Sequence, residues 1–151
     1  MNNSQLLPAD QERIHQLTVR FIDYYKFKKP PVPVEQVISK PPEGIQSMDL
    51  SDMSLVFGIG EHRYEYRMAM ARLVYREVCR LGSSGWAGED FPYNNEAARY
   101  FAACLLVPEN WVTKATRRPF ISLEQLSETF QVPEYVMASR LAQLGKRVKG
   151  M

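Results

Sequence analysis

Histidine and clustered cysteine are what this sequence has least of. Its two histidines, His15 and His62, are far apart in the chain, which leaves little material for a histidine-rich metal centre or a histidine general base. The two cysteines, Cys79 and Cys104, each fall inside an apolar helical pattern, outside any Cys-x-x-Cys or short Cys/His cluster, so both read as small buried hydrophobes. There is no apolar run of the ~18 residues needed to cross a membrane, no signal peptide and no disulfide framework; a cytoplasmic protein with no membrane contact is expected. The short Gly58-Ile59-Gly60 run lacks the third glycine and βαβ frame of a phosphate loop, and Glu61 beside it repels phosphate.

What is present is an ordinary globular composition, 45% hydrophobic and 24% charged over 151 residues, enough for one core and a small appended module. The net charge of +2 is unevenly placed. Residues 1–107 carry 12 basic and 13 acidic side chains, residues 108–151 carry 7 and 4, so a polyanion partner belongs at the C-terminal end.

Helical periodicity dominates. Pro8 and Asp10 start a helix that runs from about Ala9 to Lys28 with Ile14, Leu17 and Phe21 on one stripe. Pro30 to Pro42 holds five of the ten prolines, which confine any helical turn to Val34–Ser39 and make the segment a rigid connector packed against the first helix. The runs Ile45–Leu50 and Leu55–Ile59, separated by Ser51-Asp52, predict a small sheet. From Arg63 to Leu81, Tyr66, Met70, Leu73, Val74, Val78 and Leu81 form the buried stripe of a central helix, with Arg72, Arg76 and Arg80 in a row on a second face. Trp86, in the glycine-rich loop Gly82–Asp90, is expected to anchor that loop to the body. Asn94–Pro108 predicts a buried helix whose alanines allow close approach to its neighbour, and residues 109–117 a short helix or turn. Ser122 and Gln125 make a capping box for one last helix, and a second follows Gln131-Val132-Pro133 and ends at Gly145. This pair is a helical hairpin or a helix-turn-helix.

Taken together, the PPVPV stretch after the first helix, the short sheet, RMAMARLVYREVCRLG, NNEAARYFAACLLVP and SLEQLSETFQVPEYVMASRLAQLG resemble the ImmA/IrrE family of zincin-like metallopeptidases, with FAACLLVP the most specific piece. The resemblance implies an α+β, mostly helical fold: a minimal zincin-like domain with a small sheet over residues 1–118, and a helix-turn-helix-like pair over 119–151 packed on it. The family's zinc helix reads R-F-T-x-A-H-E-x-x-H. With Arg67 on its arginine and Ala71 on its alanine, Arg72, Leu73 and Arg76 stand where the family has His, Glu and His, and Asn95 stands where it has the third ligand. Guanidinium groups stay protonated and have no lone pair to give a cation, so the resemblance implies a scaffold without metal, cofactor or peptidase activity. Arg72 and Arg76 then point into the former cleft, compensated there by Glu96, Glu61 or Glu65, or open to an anion; Glu96 has Arg99 as an alternative partner on its own helix.

The leading expectation is a catalytically inactive interaction or regulatory module whose inherited groove binds a protein partner, a repressor-like regulator in the family's phage and stress context. One alternative is a DNA-binding protein that uses the C-terminal pair, with Lys114, Arg117, Arg118, Arg140, Lys146, Arg147 and Lys149 on phosphates. A second alternative is a zinc peptidase with unusual ligands.

Overall fold

The computed structural model describes residues 6–45, 48 and 63–151. Seven helices follow one another there: α1 (Pro8–Tyr25), α2 (Val34–Ser39), α3 (Glu65–Leu81), α4 (Asn95–Leu106), α5 (Glu109–Ala115), α6 (Leu123–Phe130) and α7 (Glu134–Gln143), with a 3-10 turn at Gly82–Ser84. The expected α+β architecture is overturned, because no strand occurs among the described residues and the one bridge, Ser122 to Lys149, is isolated. Of the two runs expected to pair, Leu55–Ile59 lies outside the described residues and only Ile45 and Met48 of the other lie within them. Ile45 is held by a turn, its N–H donating to the Pro42 carbonyl at 3.0 Å, and its side chain is buried. It is an anchor closing the proline segment, not the start of a strand.

α4 is the hub. Eight of its 12 residues are buried, and it packs against α1, α3 and α7. Ala97, Ala98, Ala102 and Ala103 present almost no side-chain bulk, so neighbouring helix axes come close on several sides at once, and Phe101 fills the remaining volume. The helix starts at Asn94, whose side chain accepts from the Ala97 N–H at 2.8 Å. α1 lies along it through Ile14, Leu17 and Phe21, all buried. α1 ends earlier than its sequence suggests: Lys26 turns left-handed at φ 57° and closes the last turn with its N–H on Asp23 and Ile22 carbonyls.

The glycine-rich loop is tied to α1. Trp86 packs on Phe21 with ring centroids 4.7 Å apart, and the Arg20 guanidinium lies 4.4 Å over the indole while donating to the Ala87 and Trp86 carbonyls. Arg13 reaches Glu89 at 2.9 Å and the Asp90 carbonyl. Gly82, at φ 55°, is required where α3 ends, since a Cβ there would collide with the Asp90 carboxylate that caps the Ser83 N–H.

α2 sits mainly on α3, and not on the first helix as its sequence suggests, because Val34, Val37 and Ile38 turn into the core beside the central helix. The link is Arg67, 2% exposed on the buried face of α3. Its Nη2 donates to the Val32 carbonyl at 2.5 Å, its Nε to the Gln131 carbonyl at 3.0 Å, and its Nη1 lies 3.3 Å from Glu35. One guanidinium therefore joins the proline segment, α2, α3 and the turn between α6 and α7. Tyr66, expected on the buried stripe, is 41% exposed instead, so the face that meets the core is rotated toward Arg67. The capping box of α6 forms as the sequence predicts: Gln125 N–H to Ser122 Oγ at 3.1 Å and Ser122 N–H to Gln125 Oε1 at 2.9 Å.

Glu35 is 54% exposed at its side chain, so the ion pair contributes little and the two carbonyl bonds carry the loss when Arg67 is removed. Arg67→Met should destabilise the fold by about 3 kcal/mol in denaturant unfolding, since the Gln131 carbonyl loses its Arg67 donor and the Val32 carbonyl keeps only the Val34 N–H. Arg67→Lys should recover less than half of that, because the single nitrogen of an ammonium cannot span acceptors placed for three guanidinium nitrogens. A loss under about 1 kcal/mol for Arg67→Met would contradict this account.

Candidate functional site

Among the described residues, a cavity of about 770 Å³ is bounded by α1, α3, α4 and α7. α3 supplies Glu65, Met68 and Arg72; α4 supplies Asn95, Glu96, Arg99, Tyr100 and Ala103; α7 supplies Tyr135, Val136, Ser139 and Gln143; Leu6 and Gln11 close the α1 side. Three of the residues that the resemblance singles out, Arg72, Asn95 and Glu96, line this space together. Leu73 does not reach it as a polar group, being a buried core side chain, and Arg76 is turned outward, exposed and 3.6 Å from Glu77.

Arg72 is compensated within the cavity. Glu65, two turns earlier on the same face of α3, lies 3.7 Å from it and accepts a hydrogen bond from the Tyr135 hydroxyl at 2.6 Å. As the first residue of α3, Glu65 also sits at the positive end of the helix dipole. Of the other expected partners, Glu61 lies outside the described residues and Glu96 makes no ion pair among them, with Arg99 or any other cation. The cavity thus holds a closed Arg72–Glu65–Tyr135 set at one side and two open charges of opposite sign, Glu96 and Arg99, on α4. No group of three or more His, Cys, Asp or Glu side chains able to hold a metal ion occurs among the described residues, and His62 lies outside them. Cys104 is buried and Cys79 half-buried; burial pushes both thiols up, away from the thiolate that a nucleophile needs.

The second helix of the C-terminal pair is a wall of the cavity. α7 packs on α4 and turns Tyr135, Val136, Ser139 and Gln143 toward the space. Arg140, expected at a DNA phosphate, is 2% exposed: its Nε donates to the Val107 carbonyl at 2.9 Å, its Nη1 approaches Gln143 at 3.4 Å, and its Nη2 is buried without a partner among the described residues. Helix C-termini leave carbonyls free, and Val107 follows the last residue of α4, so Arg140 is the cap of the hub helix. The other expected phosphate contacts stay at the surface, Lys114, Arg117, Arg118, Arg147 and Lys149 exposed and Lys146 half-buried. The periodicity that hid Arg140 is nonetheless readable: it falls with Val136, Met137 and Leu141 on the apolar stripe of α7.

Comparison of the chain with protein families, with characterised proteins and with solved structures returns no match.

Tyr135 reports on the cavity. Partial burial, then its hydrogen bond to Glu65, push its phenol from the ordinary 10.0 up to about 12. A folded value above the unfolded one means the contribution is complete below about pH 10 and is lost as the pH climbs toward 12. Absorbance titration of the phenolates should lose one late-titrating group in Tyr135→Phe, and Glu65→Gln should shift that group back toward its ordinary value. An unchanged titration in Glu65→Gln would remove the bond from the account.

Proposed function

We propose that this chain is a non-catalytic protein-interaction or regulatory module of the ImmA/IrrE-like kind, and that the cavity between α3, α4 and α7 holds a segment of a protein partner without cutting it. The observation that carries the reading is the company that Arg72, Asn95 and Glu96 keep. Arg72 and Asn95, two of the positions where the resemblance puts metal ligands, share one cavity with Glu96, Arg99, Tyr100 and Tyr135, and their chemistry is that of recognition: guanidinium forks, carboxylates, amides and phenols. Arg72 and Arg99 balance Glu65 and Glu96, so the lining is neutral overall with both signs exposed, which suits an extended peptide carrying mixed charge and its own backbone donors and acceptors. The family context makes a repressor-like regulator in a phage- or stress-type circuit the partner to look for.

The test is selection of peptides from a displayed library on the immobilised chain, followed by titration of synthetic copies and mass spectrometry after prolonged incubation. Selected peptides should bind saturably and come back intact. Arg99→Ala, at an exposed position, should weaken them about ten-fold, the equivalent of about 1.4 kcal/mol, and Arg72→Ala by a smaller factor, because Arg72 is already paired with Glu65. Cleaved peptides, or affinities indifferent to both substitutions, would overturn the proposal.

A further inference from the structure

One large apolar side chain is almost wholly in the open. Phe120 is 90% exposed, more than any other large hydrophobic among the described residues, and makes no ring contact there. It also holds a left-handed backbone at φ 67°, a conformation that side chains of its kind seldom adopt. Neither feature serves the core. Arg117 and Arg118 precede it, exposed, in the turn that follows α5. The C-terminal tail is laid beside the same loop: Leu123 N–H donates to the Lys149 carbonyl at 2.8 Å and Ser122 bridges Lys149 in parallel, two residues from Phe120. Arg117, Arg118, Arg147 and Lys149 make no ion pair among the described residues, so the loop and tail that flank this ring carry uncompensated positive charge.

We infer that this loop and tail bind single-stranded nucleic acid, an unpaired base stacking on Phe120 while Arg117, Arg118 and Lys149 hold the flanking phosphates. A free ring beside paired cations is the arrangement such strands use, since every base offers a π-face and every linkage a charge. Duplex DNA fits less well. Its bases are already stacked, and α7, the helix that would enter a groove, has its one arginine buried on Val107 and carries Glu134 at its start. A membrane surface is offered only one ring, too small an apolar footprint for stable insertion. An acidic polypeptide would use the cations but leaves Phe120 unexplained. The inference concerns a different surface from the cavity and does not rest on the cavity's reading.

The experiment is fluorescence anisotropy with a labelled oligothymidylate of about 12 nucleotides, within the span one such site covers. Duplex of the same length, phosphatidylserine vesicles and polyglutamate serve as competitors. Phe120→Ala should weaken oligothymidylate binding about 5- to 100-fold with its helical circular dichroism unchanged, as expected for loss of one stacked base. Arg117→Ala with Arg118→Ala should weaken it too and lower the salt slope by about 1.4, two phosphate contacts on a single strand. The inference fails if Phe120→Ala binds like the parent chain, if duplex binds as tightly as the single strand, or if vesicles or polyglutamate displace the oligonucleotide equally well.

Discussion

A buried guanidinium ties α3 to α2 and to the α6–α7 turn. Arg67 is wrapped by α2, α3 and the α6–α7 turn, and its three nitrogens reach three separate acceptors: the Gln131 carbonyl, the Val32 carbonyl that also accepts from the Val34 N–H, and one carboxylate at the surface. Burying a charge is costly, and the cost is offset here because each donor direction finds an acceptor. The consequence is geometric. With α3 fixed to the turn before α7, Glu65 at the start of α3 comes within 2.6 Å of the Tyr135 hydroxyl, and the cavity acquires its third wall. Arg140 repeats the device at the other end, with α7 anchored to the carbonyl that terminates the hub helix.

The cavity's character follows from which charges are closed and which are open. Arg72 is satisfied within the wall by Glu65, so it shapes the space more than it attracts a ligand. Arg99 and Glu96, on α4, have no ion-pair partner among the described residues and are the groups free to choose one. This division separates structural from recognising residues on two adjacent helices. Among the described residues both thiols are pushed up by burial, and a protonated guanidinium cannot serve as a base at any ordinary pH.

Where local spacing decides the outcome, the helices could be read directly. The proline connector, the alanine-rich stripe of α4, the capping box at Ser122 and the anchoring of Trp86 all follow from residue type and a few neighbours. Long-range polar contacts could not be read. Arg67 and Arg140 sit on apolar stripes, but nothing within a helix says whether such an arginine emerges from the core or finds carbonyls inside it; the acceptors, Val32, Gln131 and Val107, lie 33 residues or more away in the chain. Arg72 and Arg76 share a helix face by spacing, yet only Arg72 meets the cavity, while Arg76 is exposed beside Glu77. The expected sheet rested on β-branched and aliphatic runs with no view of what they pack against; Ile45 shows the alternative, an apolar residue consumed as a turn anchor. The role of α7 as a cavity wall was hidden for the same reason.

The account turns on the chemistry of the positions occupied by Arg72, Leu73, Arg76 and Asn95, and the most direct test is metal analysis of the untagged protein purified without added metal, followed by zinc titration. Guanidinium groups, a buried leucine and an amide predict zinc far below one equivalent and no tight binding on titration. One tightly bound equivalent would contradict the account and return His62, Glu96 and the cysteines to consideration as a ligand set.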